Sequence, residues 1–186
     1  MDKLYLSVPT VDELGPYADM LADPATMSYN AAWWPPEGCI PFPRGDWAAW
    51  HGRWVGQAPA RFFAYLRQRG DGAVVGYVDY HRAPDRDCCD MGILLRASER
   101  GKGYGREGLQ LLLDRAFRID GVPRLHNVFE PTRAAALHLH KALGFRETGR
   151  EEGLVHLTLD REDWLAAEDG AGSREADRIG RSPKEL

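Results

Sequence analysis

The chain carries the run Arg100-Gly101-Lys102-Gly103-Tyr104-Gly105 between a short apolar segment and an amphipathic one. Residues 88–95 have the pattern of a buried strand, and apolar residues recur with helical spacing over residues 109–117. The alternating glycines allow a tight turn and a close approach of the backbone to a ligand. At a helix start, free N–H groups and the positive end of the dipole converge. The run therefore predicts a pyrophosphate site, with Arg100 and Lys102 as additional cations.

Two common nucleotide-binding motifs differ from this run. A Walker loop requires Ser or Thr after its Gly-Lys pair, whereas Lys102 is followed by Gly103. A dinucleotide fingerprint places its third glycine one position later than Gly105, and it requires an acid at a strand end ~20 residues further on. Asp120 has that spacing but precedes a Gly-Val-Pro turn. A glycine-rich strand-to-helix turn without a ligand is the remaining alternative.

Composition and length are those of an ordinary globular domain. With 186 residues, 44% of them hydrophobic, the chain can bury one full core. A net charge of −4 argues against nucleic acid as a partner. The three cysteines are odd in number and predict no disulfide framework, so a cytoplasmic location is expected. No stretch approaches ~18 apolar residues, and no membrane association is expected.

Periodicity and turn residues predict a mixed α/β domain over residues 1–165 and a mobile polar tail over residues 166–186. The predicted order is strand, two helices, three strands, helix, strand, helix and two strands. Thr10 and Glu13 match a capping box for the first helix, and Asp46 is placed to cap the second. The second helix carries a stripe expected to pack in the core, formed by Trp47, Trp50 and Trp54.

Three segments, residues 90–105, 136–145 and 157–164, together resemble the GNAT-type N-acetyltransferases. The first is similar to the family's fourth strand and its Arg-x-x-Gly-x-Gly acetyl-CoA loop. The second is similar to the helix that ends in Leu-Gly-Phe, and the third to the last strand and its exit. The resemblance implies a central, mostly antiparallel sheet of about seven strands, splayed at the fourth and fifth strands and flanked by about four helices.

The resemblance also implies a reaction, in which an acetyl group passes from acetyl-CoA to a primary amine of a small molecule or peptide. Backbone N–H groups near Leu94 and Leu95 would stabilise the oxyanion. No metal is expected, because the histidines lack metal-ligand spacing. A homodimer is left open. The implied acetyl-CoA-binding residues are Ile93, Leu94, Leu95, Arg100, Gly101, Lys102, Gly103, Tyr104, Gly105 and Arg133.

The predicted catalytic residues are Asp90, Glu130 and His140. Asp90 aligns with the family's acidic position on the fourth strand, and Glu130 is the other candidate base. An ion-paired charge at a strand end is the alternative for Asp90. The family often has Asn where this chain has Glu130 and Arg133, and a proton-donating Tyr where it has His140. The usual general acid is therefore absent.

His140 can be weighed by its helical position. It shares the apolar face of its helix, whereas His138 points the opposite way. A histidine titrates near neutral pH and could protonate a departing thiolate. A core histidine hydrogen-bonded to the backbone fits the same position, and the pattern leaves both roles open.

Aromatic residues on a proline-containing loop predict the acceptor pocket. Tyr29, Trp33 and Trp34 lie on this loop, and Tyr77 and Asp79 share one face of the third strand. An acetyl-CoA-dependent N-acetyltransferase is the leading function. The alternative is a non-catalytic acyl-CoA-binding module that keeps the glycine loop and has lost the usual active-site residues.

Overall fold

The computed structural model describes residues 3–31, 34 and 36–167, and within them seven strands form a single mixed sheet. The sheet order is β1-β2-β3-β4-β5-β7-β6. This architecture confirms the predicted mixed α/β fold with a splayed sheet. The strands are β1 (Leu4–Ser7), β2 (Arg61–Gln68), β3 (Val74–Arg82), β4 (Cys89–Leu95), β5 (Arg124–Phe129), β6 (Arg146–Glu151) and β7 (Leu154–Asp160).

The sheet opens between β4 and β5. Neighbouring strands pair antiparallel elsewhere, but β4 and β5 run parallel. In the described strands their register pairs are Cys89 with Leu125 and Asp90 with His126. Beyond Asp90 the strands diverge, and the backbone of the second half of β4 faces a gap.

Helices cover both faces of the sheet. Within the described residues the α-helices are α1 (Gly15–Ala22), α2 (Pro24–Met27), α3 (Trp47–Trp54), α4 (Tyr104–Leu113) and α5 (Ala134–Ala142). A π-helical turn, Asp114–Ile119, continues α4, and residues 161–167 are helical. Gly108 allows α4 to approach the sheet closely, because a Cβ there would lie 2.6 Å from Leu66 Cδ1.

Two hydrophobic cores lie on opposite faces. One joins α4 and α5 to the sheet through residues such as Leu109, Leu113 and Phe145. The other packs α1 and α3 on the first half of the sheet and includes Trp50, with Trp47 and Trp54 packed against it. The tryptophan stripe is therefore core packing, as the periodicity predicts. The opposite face of β5 and β7 carries polar side chains, including His126 and His156.

Two capping predictions need correction. The Thr10–Glu13 capping box is present, but it closes a short 3₁₀ turn, and α1 begins only at Gly15. Pro16 stands at the start of α1, where its fixed φ is compatible with a helix. Asp46 makes no side-chain capping hydrogen bond, because it closes a 3₁₀ turn with helical backbone angles.

The described residues end at position 167. Trp164 is buried and Leu165 packs on the core, which agrees with a domain that reaches at least this point. The predicted tail over residues 166–186 falls mostly outside the described residues and stays a prediction. No helix in residues 3–31, 34 and 36–167 has the length and apolar character needed to cross a membrane.

Candidate active site

The glycine loop forms the N-terminus of α4. Gly101 and Gly103 adopt φ values of 78° and 87°, in the left-handed region that favours glycine. Gly103 is the N-cap residue, and α4 begins at Tyr104. The first N–H groups of this helix have no carbonyl partner within it, so they can donate to an anion. The side chain of Tyr104 is buried in the core that joins α4 to the sheet, so its backbone N–H is the group available to a ligand.

The two cations of the loop have partners within the protein. The Arg100 guanidinium donates to the carbonyl oxygens of Ala25 and Thr26, at 3.3 and 2.6 Å. Lys102 Nζ lies 2.9 Å from Glu99 Oε2. Arg100 therefore ties the glycine loop to α2 and also borders the cavity beside the loop. Lys102 is half-exposed and stays available to an incoming anion.

A cavity of about 630 Å³ lies between the glycine loop, the open half of β4 and the first turn of α5. Its size is that of an ordinary ligand pocket, and small side chains of α5 form one wall. Gly105 borders it, and a Cβ there would meet Leu139 Cδ2 at 3.4 Å. Six of the predicted acetyl-CoA-binding residues line this cavity: Ile93, Leu94, Leu95, Arg100, Gly105 and Arg133.

Backbone donors of β4 face the gap. The N–H of Arg96 donates to Val75 O of β3. Successive residues of a strand direct their N–H groups to opposite sides, so this bond shows which N–H groups of β4 point toward β3 and which point away from it. The N–H groups of Ile93 and Leu95 then point away from β3, toward the gap. The resemblance implies oxyanion donors near Leu94 and Leu95, and in this region the ladder directs the N–H groups of Ile93 and Leu95 toward the gap.

A second cavity, of about 280 Å³, lies at the gap and is lined by residues of β3, β4, β5 and α5. It shares Ile93, Leu94 and Ala136 with the first cavity, so the two meet at β4. The predicted residues that line it are Tyr29, Tyr77, Asp79, Ile93, Leu94, Arg133 and His140.

Asp79 is the carboxylate of the second cavity among the described residues. It pairs in register with Gly92 of β4, and a Cβ at Gly92 would lie 2.7 Å from Asp79 Oδ2. Glycine at this position therefore leaves room for the carboxyl group. Desolvation raises the pKa of Asp79 from 3.8 to about 7. A carboxyl group with this pKa can exchange a proton with a ligand at physiological pH.

Tyrosine rings surround this carboxyl group. Tyr17 lies with its ring centroid 5.2 Å from that of Tyr77, and Tyr29 borders both cavities. Desolvation raises the pKa of Tyr29 and raises that of Tyr77 well above its ordinary value. The hydroxyl groups therefore stay neutral. Aromatic rings beside a carboxylate are a favourable environment for an ammonium group.

Comparison with known proteins identifies the family. The model of the acetyltransferase (GNAT) domain matches residues 3–146, which is more than half of the chain. The chain belongs to the GNAT acetyltransferase family. The order of strands, the splay and the glycine loop described above are thus those of a GNAT domain, and the predicted resemblance is confirmed.

This GNAT chain is also similar to individual relatives and solved structures. The L-methionine sulfoximine/L-methionine sulfone acetyltransferase of Pseudomonas paraeruginosa is 34% identical over 83 residues, which cover 42% of this chain and 48% of the relative. The match spans about half the length of that relative. A spermidine N-acetyltransferase from Vibrio cholerae, in complex with CoA and spermine, superposes with a TM-score of 0.73 at 16% identity, covering 89% of this chain and 99% of that one.

A GNAT-family acetyltransferase from Bacillus anthracis has a TM-score of 0.62 at 16% identity, over 86% of this chain and 96% of that one. At these identities the solved structures show the shared fold and carry no argument about the acceptor.

Asp90 of this GNAT domain lies outside the second cavity. Its Oδ1 accepts a 2.6 Å hydrogen bond from Nδ1 of His126, and its Oδ2 lies 3.0 Å from Nη2 of Arg86. The residues that line the second cavity in the described chain include Asp79 and not Asp90. Sequence reasoning placed Asp79 in the acceptor pocket but gave the base role to Asp90 and Glu130. The signal that could have selected Asp79 is the glycine opposite it, Gly92.

Glu130 is engaged in an ion pair. Its carboxylate pairs with the guanidinium of Arg133 at the start of α5. Arg133 also donates to Tyr29 O at 2.8 Å and lies 4.9 Å from the centre of the Tyr29 ring. This group connects the β5–α5 loop to the segment that follows α2. Glu130 thus holds the rim of both cavities through Arg133.

His140 is buried, and His138 is exposed, as the helical wheel predicts. His140 Nδ1 donates to Ala136 O at 2.8 Å, so Nε2 accepts from Nδ2 of Asn127 at 2.9 Å. Desolvation lowers the pKa of His140, with the hydrogen bond to Ala136 acting in the opposite direction. These contacts favour the core-histidine role, and proton donation by His140 stays a prediction. Asn127, which sequence reasoning missed, links β5 to this histidine.

Of the two predicted tryptophans near the acceptor pocket, the structure describes Trp34, which follows α2 in the chain. The side chain of Trp34 is 51% exposed. Its backbone N–H donates a hydrogen bond to Asn30 O at 3.0 Å. Trp33 lies outside the described residues. Among the described residues, no group of three or more His, Cys, Asp or Glu side chains is arranged to hold a metal ion.

Proposed function

We propose that this protein is an acetyl-CoA-dependent N-acetyltransferase in which Asp79 receives the proton of the acceptor amine. The observation that carries this proposal is the junction of the two cavities at β4. The glycine loop stands at the far side of one cavity, and a carboxyl group with a pKa of about 7 stands in the other. A thioester at the gap would therefore meet an amine that has a base beside it.

Acetyl-CoA is the co-substrate that the first cavity fits. The N-terminus of α4 supplies N–H donors and the positive end of a dipole for a pyrophosphate, with Lys102 nearby. The residues of β4 and the first turn of α5 would hold the pantetheine arm. The N–H groups of Ile93 and Leu95 would stabilise the oxyanion, because they face the gap and are already oriented.

Asp79 is suited to remove a proton from the acceptor. A primary amine of pKa near ~10 is protonated at neutral pH and cannot attack a carbonyl until it loses a proton. The ammonium group would bind between the carboxylate and the tyrosine rings, and its proton would pass to Asp79. The free amine then attacks the acetyl carbonyl, and the oxyanion collapses as the C–S bond breaks and CoA leaves as a thiolate. The nitrogen, positively charged after its attack, loses its second proton, and the thiolate takes up one proton, so the products are the neutral amide and the CoA thiol.

The acceptor is a primary amine of a small molecule or peptide. Tyr29 and Tyr77 would contact its ammonium end. Contacts of Trp33 and Trp34 with its remote part stay a prediction from the sequence. The relative from Pseudomonas paraeruginosa is an acetyltransferase of L-methionine sulfoximine and L-methionine sulfone, which are amino-acid derivatives with a primary amine. A cytoplasmic location and a homodimer stay predictions from the sequence.

A non-catalytic acyl-CoA-binding module is the second candidate, favoured by His140 at the position of the usual proton donor. Both candidates bind acetyl-CoA. They differ in turnover, since only an enzyme releases free CoA thiol in proportion to added amine. The pKa of Asp79 favours the enzyme, because a module that only binds has no need of a titrating carboxyl group beside the thioester.

The test is a thiol-release assay with acetyl-CoA and a panel of amines, comprising amino acids, polyamines, aminoglycosides and peptides. We expect release that depends on one amine class and falls at least ~10²-fold in Asp79→Asn. Asp71→Asn, in the exposed β2–β3 turn, is the matched control and should keep full activity. Acetyl-CoA binding without release across all amine classes would favour the binding module.

A further inference from the structure

The closed end of the gap is held by side chains as well as by the backbone. Asp90 and His126 form one of the two register pairs between β4 and β5 in the described strands. Their side chains lie on the same face and join through the 2.6 Å hydrogen bond from His126 Nδ1 to Asp90 Oδ1. On the open side of this pair the two strands separate. The two strands therefore form a V, and the hydrogen bond lies at its apex, where β4 and β5 are still paired.

Two further residues extend this contact into a cluster. His156 of β7 lies with Nδ1 3.1 Å from Nε2 of His126. Arg86, in the loop before β4, donates to Asp90 at 3.0 Å and lies 3.2 Å from His126. We call Arg86, Asp90, His126 and His156 the apex cluster. It joins β4 to β5 and β7, and His126 at its centre is 4% exposed.

We infer that the Asp90–His126 pair is a positioning pair that sets the angle between the two halves of the sheet. The inference rests on the proposed function for the role of the cavities. One wall of the acetyl-CoA cavity belongs to β4, and the other belongs to α5, which follows β5. The angle at the apex therefore fixes the distance between the two walls. Asp90 thus acts on the reaction through the position of the thioester.

Simple geometry gives the size of the effect. Ile93 is three residues beyond Asp90, or ~10 Å along the strand. A rotation of ~5° about the apex moves a group at that distance by ~1 Å. A misplacement of ~1 Å at a reacting centre can cost ~10²-fold in rate. Loss of the pair is therefore expected to weaken acetyl-CoA binding and slow turnover together.

The alternative role for Asp90 is that of the general base, which the family resemblance implies. Two substitutions separate the roles. Asp90→Asn keeps an oxygen that accepts from His126 and removes the basic carboxylate. Asp90→Ala removes both. A positioning role predicts that Asn largely preserves activity where Ala does not, whereas a base role predicts equal losses.

The experiment measures kcat, KM, acetyl-CoA affinity by calorimetry, and melting temperature for Asp90→Asn, Asp90→Ala, His126→Asn and the Asp90→Ala/His126→Asn double variant. We expect Asp90→Asn to stay within ~3-fold of the unmodified protein and to keep its pH–rate profile. Asp90→Ala should lose ~10- to 100-fold in kcat/KM and bind acetyl-CoA more weakly. The double variant should lose no more than Asp90→Ala, because both changes remove one contact. Asp160→Ala, which breaks an exposed pair with Arg124 between β5 and β7, is the control and should change neither quantity.

Three results would overturn the inference. Equal loss in folded Asp90→Asn and Asp90→Ala, with acetyl-CoA affinity intact, would make Asp90 the base. A lower melting temperature with normal kinetics and affinity would make the pair merely structural. Additive losses in the double variant would show that Asp90 and His126 act independently and not as a pair. Because acetyl-CoA affinity is measured without an acceptor, these outcomes are distinct from a failure of Asp79 as the base.

Discussion

Replacement of Asp79 by asparagine is expected to stabilise the protein and to inactivate it. The carboxyl group sits in a cavity where desolvation raises its pKa from 3.8 to about 7. A raised pKa means that the folded state holds the proton more tightly than the unfolded state. Stability from this group is fully present below about pH 4 and is lost as the pH rises to about 7.

The size of the effect follows from the shift. The rise of the Asp79 pKa from 3.8 to about 7 corresponds to at most ~4 kcal/mol, and the partial exposure of the side chain reduces this to ~2 kcal/mol. For a domain of this size, ~2 kcal/mol is a change of ~4–8 °C in melting temperature. Asparagine has the same shape and no charge to desolvate. Asp79→Asn should therefore melt ~4–8 °C higher than the unmodified protein at pH 8 and nearly equal to it at pH 4.

The same variant should lose activity. Removal of a general base typically costs ~10²–10⁴-fold in rate. The unmodified protein should show kcat/KM falling below a pH near its Asp79 pKa of about 7, and Asp79→Asn should lack this limb. Calorimetric melting at the two pH values and a pH–rate profile measure both effects. Two results would refute the reasoning. One is an Asp79→Asn melting temperature that lies below that of the unmodified protein by the same amount at pH 4 and pH 8. The other is an Asp79→Asn variant whose kcat/KM still falls at low pH.

Three other changes test the remaining parts of the site. Gly103→Glu should weaken acetyl-CoA binding at least ~10-fold beyond Gly103→Ala in calorimetry, because both strain a φ of 87° and only Glu places a like charge at the pyrophosphate site; equal effects would move the cofactor elsewhere. Gly92→Ala should lower kcat ~10-fold or more with acetyl-CoA affinity unchanged, since its Cβ would lie 2.7 Å from Asp79 Oδ2; normal turnover would count against Asp79. His140→Ala should lower the stability by ~1–3 kcal/mol with kcat nearly normal in the folded fraction, while His138→Ala changes neither; a stable His140→Ala with kcat down ~10²-fold would instead establish the proton-donor role.

The fold could be predicted because its signals are local and ordered. The glycines of residues 100–105 are enough to indicate a turn from a strand to a helix. The apolar periodicity of the helix before Gly144 predicts that His140 is buried and that His138 is exposed. Boundaries were harder to predict. The Thr10–Glu13 box is real, yet the helix starts later, because its residues are held in a tighter turn.

The carboxylate that we propose as the base could not be selected from the sequence in the same way. Two features single out Asp79: its cross-strand neighbour is Gly92, and burial raises its pKa. Neither feature can be predicted from the sequence of one strand alone. Asp90 matched a family position, but its partner His126 lies 36 residues away on a strand that meets β4 for two register pairs among the described residues. Long-range register therefore decides which acid lines the second cavity.

The transfer of the acetyl group itself tests the central claim most directly. The protein is incubated with acetyl-CoA radiolabelled in the acetyl group and with the amine that supports thiol release, and the label is followed by chromatography. We expect the label to appear on the nitrogen of the amine in amounts equal to the CoA released, and to stay on CoA with Asp79→Asn. Thiol release with the label recovered as free acetate would show hydrolysis in place of transfer, and label retained on acetyl-CoA with every amine would contradict the assignment as an N-acetyltransferase.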